Sequence, residues 1–329
     1  MIGRSVRRGA LVVAAAVALA GCAATTPDDS APPSTTATAP SSAATALDGA
    51  LVLDPSHDYG ERYADGILPV GDEHWSLSDP AVGTVYLCRD VFVPDDRAGA
   101  QTRGPWFVNG DTEYDLNLKV HVEGRVDWEP RMSVTVADGI RTVSTNDLPD
   151  HATGEFPIAA DDPAHAYDAN PNSIAEQDLT YRLTADPEYG DPQCMGGEAG
   201  VMLTGVALFN AFDAGGRDAG AWEVQDDCEG HPQEHGEYHY HTLSSCIGAV
   251  GVDTVIGYAL DGFPITGPTV GPGNVLITAD LDACHGIVSE IELDGTTVTT
   301  YHYVMTQDFP YSVSCFRAAP VRTGPPPAG

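Results

Sequence analysis

Hydrophobic and polar positions along this chain alternate mostly with a period of two, in short runs broken by Gly, Pro and Asp, which is the pattern of half-buried β-strands. Thr84 to Val93 (TVYLCRDVFV) reads as a strand stopped by Pro94, and Leu116 to Val122 as another. Met132 to Ala137 and Ile140 to Ser144 flank Asp138-Gly139, and Ile287 to Leu293 and Thr296 to Val304 flank Asp294-Gly295. Asp-Gly between two such runs predicts a two-residue hairpin turn. Gly200 to Asn210 (GVMLTGVALFN) is apolar almost throughout and predicts one central strand. Thr254 to Leu260 predicts a strand ended by Asp261-Gly262-Phe263-Pro264, and Ala219 to Gln225 is the best candidate for a short helix. These elements predict a mainly β fold: a single large, disulfide-linked β-sandwich or barrel-like domain with one or two short helices.

The first residues follow a different rule. Arg4, Arg7 and Arg8 precede an apolar run from Ala10 to Ala20 and then Leu19-Ala20-Gly21-Cys22, which reads as a lipoprotein signal peptide over 1–21, too short to be a spanning helix. Cys22 is then the lipid-bearing N-terminus, residues 22–47 (Ser, Thr, Pro and Ala) a tether, 48–317 the folded domain and 318–329 a Pro/Gly-rich tail. This arrangement implies a lipid-anchored protein at the cell surface or on the periplasmic face of the membrane, with the membrane as its partner. The formal net charge is −33, and Lys119 is the only lysine. Such a surface repels phosphate backbones, which argues against nucleic acid as a partner. Seven cysteines become six once Cys22 carries lipid, and an even number in an exported chain implies disulfides. Cys228 with Cys246 and Cys284 with Cys315 each bracket a Tyr-His-Tyr stretch, leaving Cys88 with Cys194.

Four of the eleven histidines lie between Cys228 and Cys246, in the segment CEGHPQEHGEYHYHTLSSC. Strand alternation puts His239 and His241 on one face and Tyr238 and Tyr240 on the other. The segment resembles the YHYH family of bacterial secreted or surface proteins, as do the loops Asn146–Gly154 and Asp168–Ile174, the turn Ala211–Asp218 and the tail Phe309–Arg317. The resemblance runs through nearly all of 48–317 and implies a single YHYH domain there, without implying a chemistry. In that family the second Tyr-His-Tyr position is commonly followed by a further His, so Val304 after Tyr301-His302-Tyr303 is a departure.

Imidazoles on an otherwise apolar face need hydrogen bonds or an ion, because an unpartnered buried polar group costs about 2–7 kcal/mol. His239, His241 and His302 are the first candidates for a divalent transition metal, zinc or copper, with His231 and His285, each close to the first cysteine of its unit, as further ligands. Glu237 and Asp261 are the candidates for handling a proton if a metal-bound water reacts. His151 sits in a ligand-capable loop that more commonly forms turns. His231-Pro232-Gln233-Glu234-His235 matches the inverted zinc-protease motif, but that motif needs a helix and here Pro232, Gly236 and a strand pattern intervene. Three functions stay open: metal-assisted hydrolysis, metal or copper binding without turnover, and a binding or structural module in which Trp106, Trp128 and Trp222 face a ligand and the histidines knit the core. A small-molecule or glycan ligand is not identified by any residue pattern.

Overall fold

In a computed structural model of the chain the described residues are 47, 49–90, 92–93, 99–248 and 250–321. The leader, Cys22 and nearly all of the tether lie outside the described residues, as does 322–329 of the tail. The N-terminal strands are only two or three residues long: β1 (Ile67–Pro69), β2 (Trp75–Ser76), β3 (Val85–Tyr86), β4 (Phe107–Val108) and β5 (Glu113–Asp115). Among the described residues of the strand expected over Thr84 to Val93, only β3 forms, followed by a single bridge from Leu87 to Met195 beside the Cys88–Cys194 disulfide. Leu116 to Val122 is turn and irregular chain, contrary to expectation. Its alternation reflects packing on the Trp106 core, with Val122 buried and Lys119 running inward to Gly220 O and, at 2.8 Å, Gln225 Oε1.

Three strands, β6 (Met132–Ala137), β7 (Ile140–Thr145) and β8 (Leu179–Thr184), form an antiparallel sheet in that order. Asp138 and Gly139 turn the first pair with φ of 52° and 73°, the left-handed values a two-residue hairpin requires. Val143, Tyr181 and Leu183 of this sheet pack into one apolar core with Val201, Tyr258 and Ile265 of the main sheet, giving a sandwich-like, mainly β architecture.

The main sheet has eight strands: β9 (Glu198–Met202), β10 (Ala207–Phe209), β11 (Gly230–Pro232), β12 (Tyr238–Tyr240), β13 (Val255–Ala259), β14 (Pro264–Thr266), β17 (Gly286–Leu293) and β18 (Thr296–Val304). A small ribbon, β15 (Thr269–Gly271) with β16 (Asn274–Val275), sits between them in sequence. The run Gly200 to Asn210 is not one strand but the β9–β10 hairpin, broken at Gly205 with φ 93°. An all-apolar run hides such a turn because both arms are buried. The helix α1 (Ala219–Trp222) is a single turn, shorter than expected, with the Asp218 carboxylate capping Ala221 N.

The strand order β11-β12-β10-β9-β13-β14-β18-β17 contains one four-strand unit twice. In each, a hairpin (β9–β10, β13–β14) lays its second strand parallel to a later strand (β12, β18), which is antiparallel to the strand before it (β11, β17). At the centre β9 and β13 pair antiparallel, Gly200 with Ala259, Val201 with Tyr258 and Met202 with Gly257. Matching details accompany the topology. Leu203 N donates to Ile256 O at 2.7 Å and Leu260 N to Ala199 O at 2.9 Å, and Gly205 and Gly262 share φ of 93° and 94°. Asp226 accepts from Cys228 N, Gly230 N and the Tyr238 hydroxyl, and Asp282 from Cys284 N, Gly286 N and the Tyr301 hydroxyl. The two units are therefore related by an approximate twofold axis between β9 and β13. Disulfides Cys228–Cys246 and Cys284–Cys315 tie down one unit each.

Candidate metal centre

The β11–β12 hairpin carries the site. Asp226 gathers the backbone N–H groups of the tight Cys228-Glu229-Gly230 turn, where Glu229 has φ 55°, and so sets the start of β11. From there the register pairs His231 with His239 across the two strands. Tyr238 and Tyr240 point to the opposite face and are fully buried, their hydroxyls on Asp226 and on Thr204 and His151 respectively. His239 and His241 consequently share a side, with Nε2 atoms 3.1 Å apart. Glu223, immediately after α1, completes the group: its Oε2 lies 3.3 Å from His231 Nε2 and 3.4 Å from His241 Nε2. The ligand atoms of His231, His239 and His241 all fall within 4.8 Å of one another.

Three of these separations, 3.1, 3.3 and 3.4 Å, are close to the spacing of donors that share an ion. Four donors placed tetrahedrally about an ion at roughly 2.0–2.1 Å stand about 3.3–3.4 Å from each other. The hydrogen bonds point the same way. His241 Nδ1 lies against Asn210 O and His239 Nδ1 3.4 Å from Glu237 O, and carbonyls only accept, so both rings carry their proton on Nδ1. Their Nε2 lone pairs then face each other, a repulsive arrangement that a cation between them relieves. Glu223 Oε2 and both nitrogens of His231 are buried without a hydrogen bond, although the two residues lie within ion-pair distance. Phe209 stacks on His239 at 4.2 Å and walls the group on one side.

Burial holds His239 well below the usual imidazole range, helped by its two neighbouring rings, and brings His241 down to about 4. Burial is the largest influence on His231 and acts downward too, but the Glu223 and Asp168 carboxylates together outweigh it and leave the pKa raised. For Glu223 burial acts upward, yet the two histidines bring it down to about 2, so the group presents a carboxylate, two imidazoles that shed their protons readily and, in His231, a ring that holds its proton more firmly.

The other expected residues lie elsewhere. His302, expected beside His239 and His241, is five strand-to-strand steps away across the sheet, about 24 Å at the usual spacing. Its nitrogens bond to the hydroxyls of Thr266 at 2.9 Å and Ser289 at 2.8 Å, a satisfied core histidine. His285 is likewise partnered, by Val304 O and by Thr278 and Thr306. The twofold relation explains the difference: Ile287 faces His302 where His231 faces His239, and Val304 follows Tyr303 where His241 follows Tyr240. Only the first unit holds the ligand set. Asp261 fastens the Tyr303 hydroxyl, Phe263 N, Arg317 N and Ala318 N, and the Glu237 side chain bonds to Gln233, so neither points a free carboxylate at the centre.

His235 is exposed at the turn between β11 and β12, which denies the inverted-protease motif its helix. His151 lies near the sulfurs of Cys228 and Cys246, but those are oxidised and its nitrogens are taken by Tyr240 and Ala152 O. Trp106 and Trp222 are buried in the second core and Trp128 bonds to Thr153, so the three do not form a ligand surface. Glu223 escaped sequence reasoning, since nothing around an acidic residue at the end of a helix turn marks it as a ligand.

No curated protein and no solved structure matches the chain. The model of the family described as YHYH protein matches residues 180–271, a stretch that contains Glu223, His231, His239 and His241 and stops before β17 and β18. This part of the chain is a YHYH domain.

Proposed function

We propose that this domain binds one divalent transition metal ion through His231, His239, His241 and Glu223, and that it holds the ion without turning over a substrate. The observation that carries the reading is the meeting of His239 and His241 Nε2 at 3.1 Å, with the Glu223 carboxylate, free of hydrogen bonds, 3.3–3.4 Å from His231 and His241. A donor set of three imidazoles and one carboxylate suits zinc, and copper(II) favours a flatter arrangement. All four side chains are buried, and with Glu223 at the fourth corner the ion keeps no open position for an activated water. That is the reason for preferring binding over hydrolysis. The leader and Cys22 support an extracytoplasmic, lipid-anchored setting, in which an acidic surface concentrates cations near the domain.

Metal analysis of the purified protein, followed by zinc and copper titration of the chelator-stripped form, tests the reading. One equivalent of zinc bound in the parent and lost in His239→Ala/His241→Ala with the disulfides intact supports it. A folded parent indifferent to both metals refutes it. For the anchor, Cys22→Ala should move the protein from the membrane to the soluble fraction.

A further inference from the structure

Asp168 lies behind the metal centre rather than in it. It begins the loop Asp168–Ile174, which grips both ligand-bearing segments: Asp168 Oδ2 accepts from Val224 N at 3.1 Å, one residue after Glu223, and Asn170 Nδ2 donates to Pro232 O at 2.9 Å, one residue after His231. Asp168 is 2% exposed, and its Oδ1 has no hydrogen bond. His231 Nδ1, the ring nitrogen left over when Nε2 faces Glu223, has none either. A buried acceptor and a buried donor are thus both unsatisfied, each at a cost of about 1–3 kcal/mol. The two side chains already act on each other's charge.

Resting on the metal-binding reading, the geometry points to Asp168 as the positioning residue of the centre, whose Oδ1 takes the Nδ1 proton of His231 as a hydrogen bond when Nε2 is bound to metal. A histidine ligand ordinarily donates its second N–H to a carboxylate or carbonyl, which fixes the tautomer and raises the basicity of the ligating nitrogen. His241 has Asn210 O and His239 has Glu237 O in that role. Asp168 supplies the third partner, and being anionic it strengthens His231 most.

The test is Asp168→Asn in the full disulfide-bonded chain, with zinc alone as the probe. Asn keeps an oxygen for Val224 N but turns a donor toward the His231 N–H. Competition with a chromophoric chelator should show zinc affinity reduced by roughly 10–100-fold, and nitrogen-15 NMR of the zinc-bound protein should show the His231 Nδ1 resonance shifted. Asn170→Ala serves as the comparison, because it loosens the same loop and leaves the carboxylate in place. Equal affinity and an unshifted His231 resonance in Asp168→Asn overturn the proposal, as does an Asn170→Ala variant that reproduces both effects. A parent protein that binds no zinc removes this proposal together with the reading beneath it, and a parent that binds normally beside an unchanged Asp168→Asn removes this one only.

Discussion

His239 and His302 occupy equivalent positions in two halves of one sheet, the first across from His231 and the second across from Ile287. The same backbone thus presents one imidazole to other ligands and the other to a pair of hydroxyls. His302 makes hydrogen bonds with both ring nitrogens, to Thr266 and Ser289, whereas His239 turns its Nε2 toward a second imidazole. Duplicated scaffolding supplies the geometry, and the side chains opposite decide the chemistry.

Replacing the two histidines separates these roles. His302→Ala strips the Thr266 and Ser289 hydroxyls of their short bonds, leaving each only a carbonyl at 3.4 Å, and should cost about 1–3 kcal/mol of stability, with metal affinity unchanged. His239→Ala should lower zinc affinity by at least the roughly 10–100-fold that loss of an outer partner costs. Chemical denaturation and chelator competition on both variants check this, and a drop in zinc affinity for His302→Ala would contradict the placement.

The two C-terminal disulfides should differ in the same way. In the loop-entropy account, removing Cys228–Cys246, which spans 18 residues, costs about 3 kcal/mol, and removing Cys284–Cys315, which spans 31, about 4 kcal/mol. Only Cys228→Ser/Cys246→Ser should also weaken metal binding, because that bridge closes the segment carrying His231, His239 and His241. Parallel thermal melts and zinc titrations of the two double variants read both effects.

Gly205 and Gly262 hold the same turn in the two units, but their surroundings differ. A Cβ on Gly262 would meet the Thr184 carbonyl oxygen at 2.2 Å, whereas one on Gly205 would meet Thr145 Oγ1 at 3.1 Å. Both have φ near 93°, so alanine is strained at either position, by about 1–3 kcal/mol. Gly262→Ala should be the more destabilising, since backbone must move to admit it. Denaturation midpoints give the order.

Burial raises the Asp261 carboxyl to about 6, against four donors that act to lower it. A folded-state pKa above the unfolded value favours the fold most below about 4, and that contribution is lost as pH rises through about 6. Asp261→Asn does not titrate, so its stability relative to the parent should rise between pH 4 and pH 7 and then level off. A constant difference between the two proteins across that range would show that Asp261 has its ordinary pKa.

Much of the fold was legible in the chain itself. Asp138-Gly139 and Asp294-Gly295 specify their hairpins because only those residue types take left-handed φ cheaply, and Tyr-His alternation puts His239 and His241 on one face because strand side chains repeat every two residues. The spacing of cysteines around each Tyr-His-Tyr stretch carries their pairing, since each pair closes a local unit. Local patterns of this kind are properties of a few adjacent residues. Tertiary structure alone decided that the run from Gly200 to Asn210 folds back at Gly205, that β12 lies beside β10 while β18 lies five steps away, and that Glu223 rather than His302 lies next to His231 and His241. Strand order and the approach of α1 are set by which apolar faces bury one another across the sheet, and no residue's immediate neighbours along the chain record that.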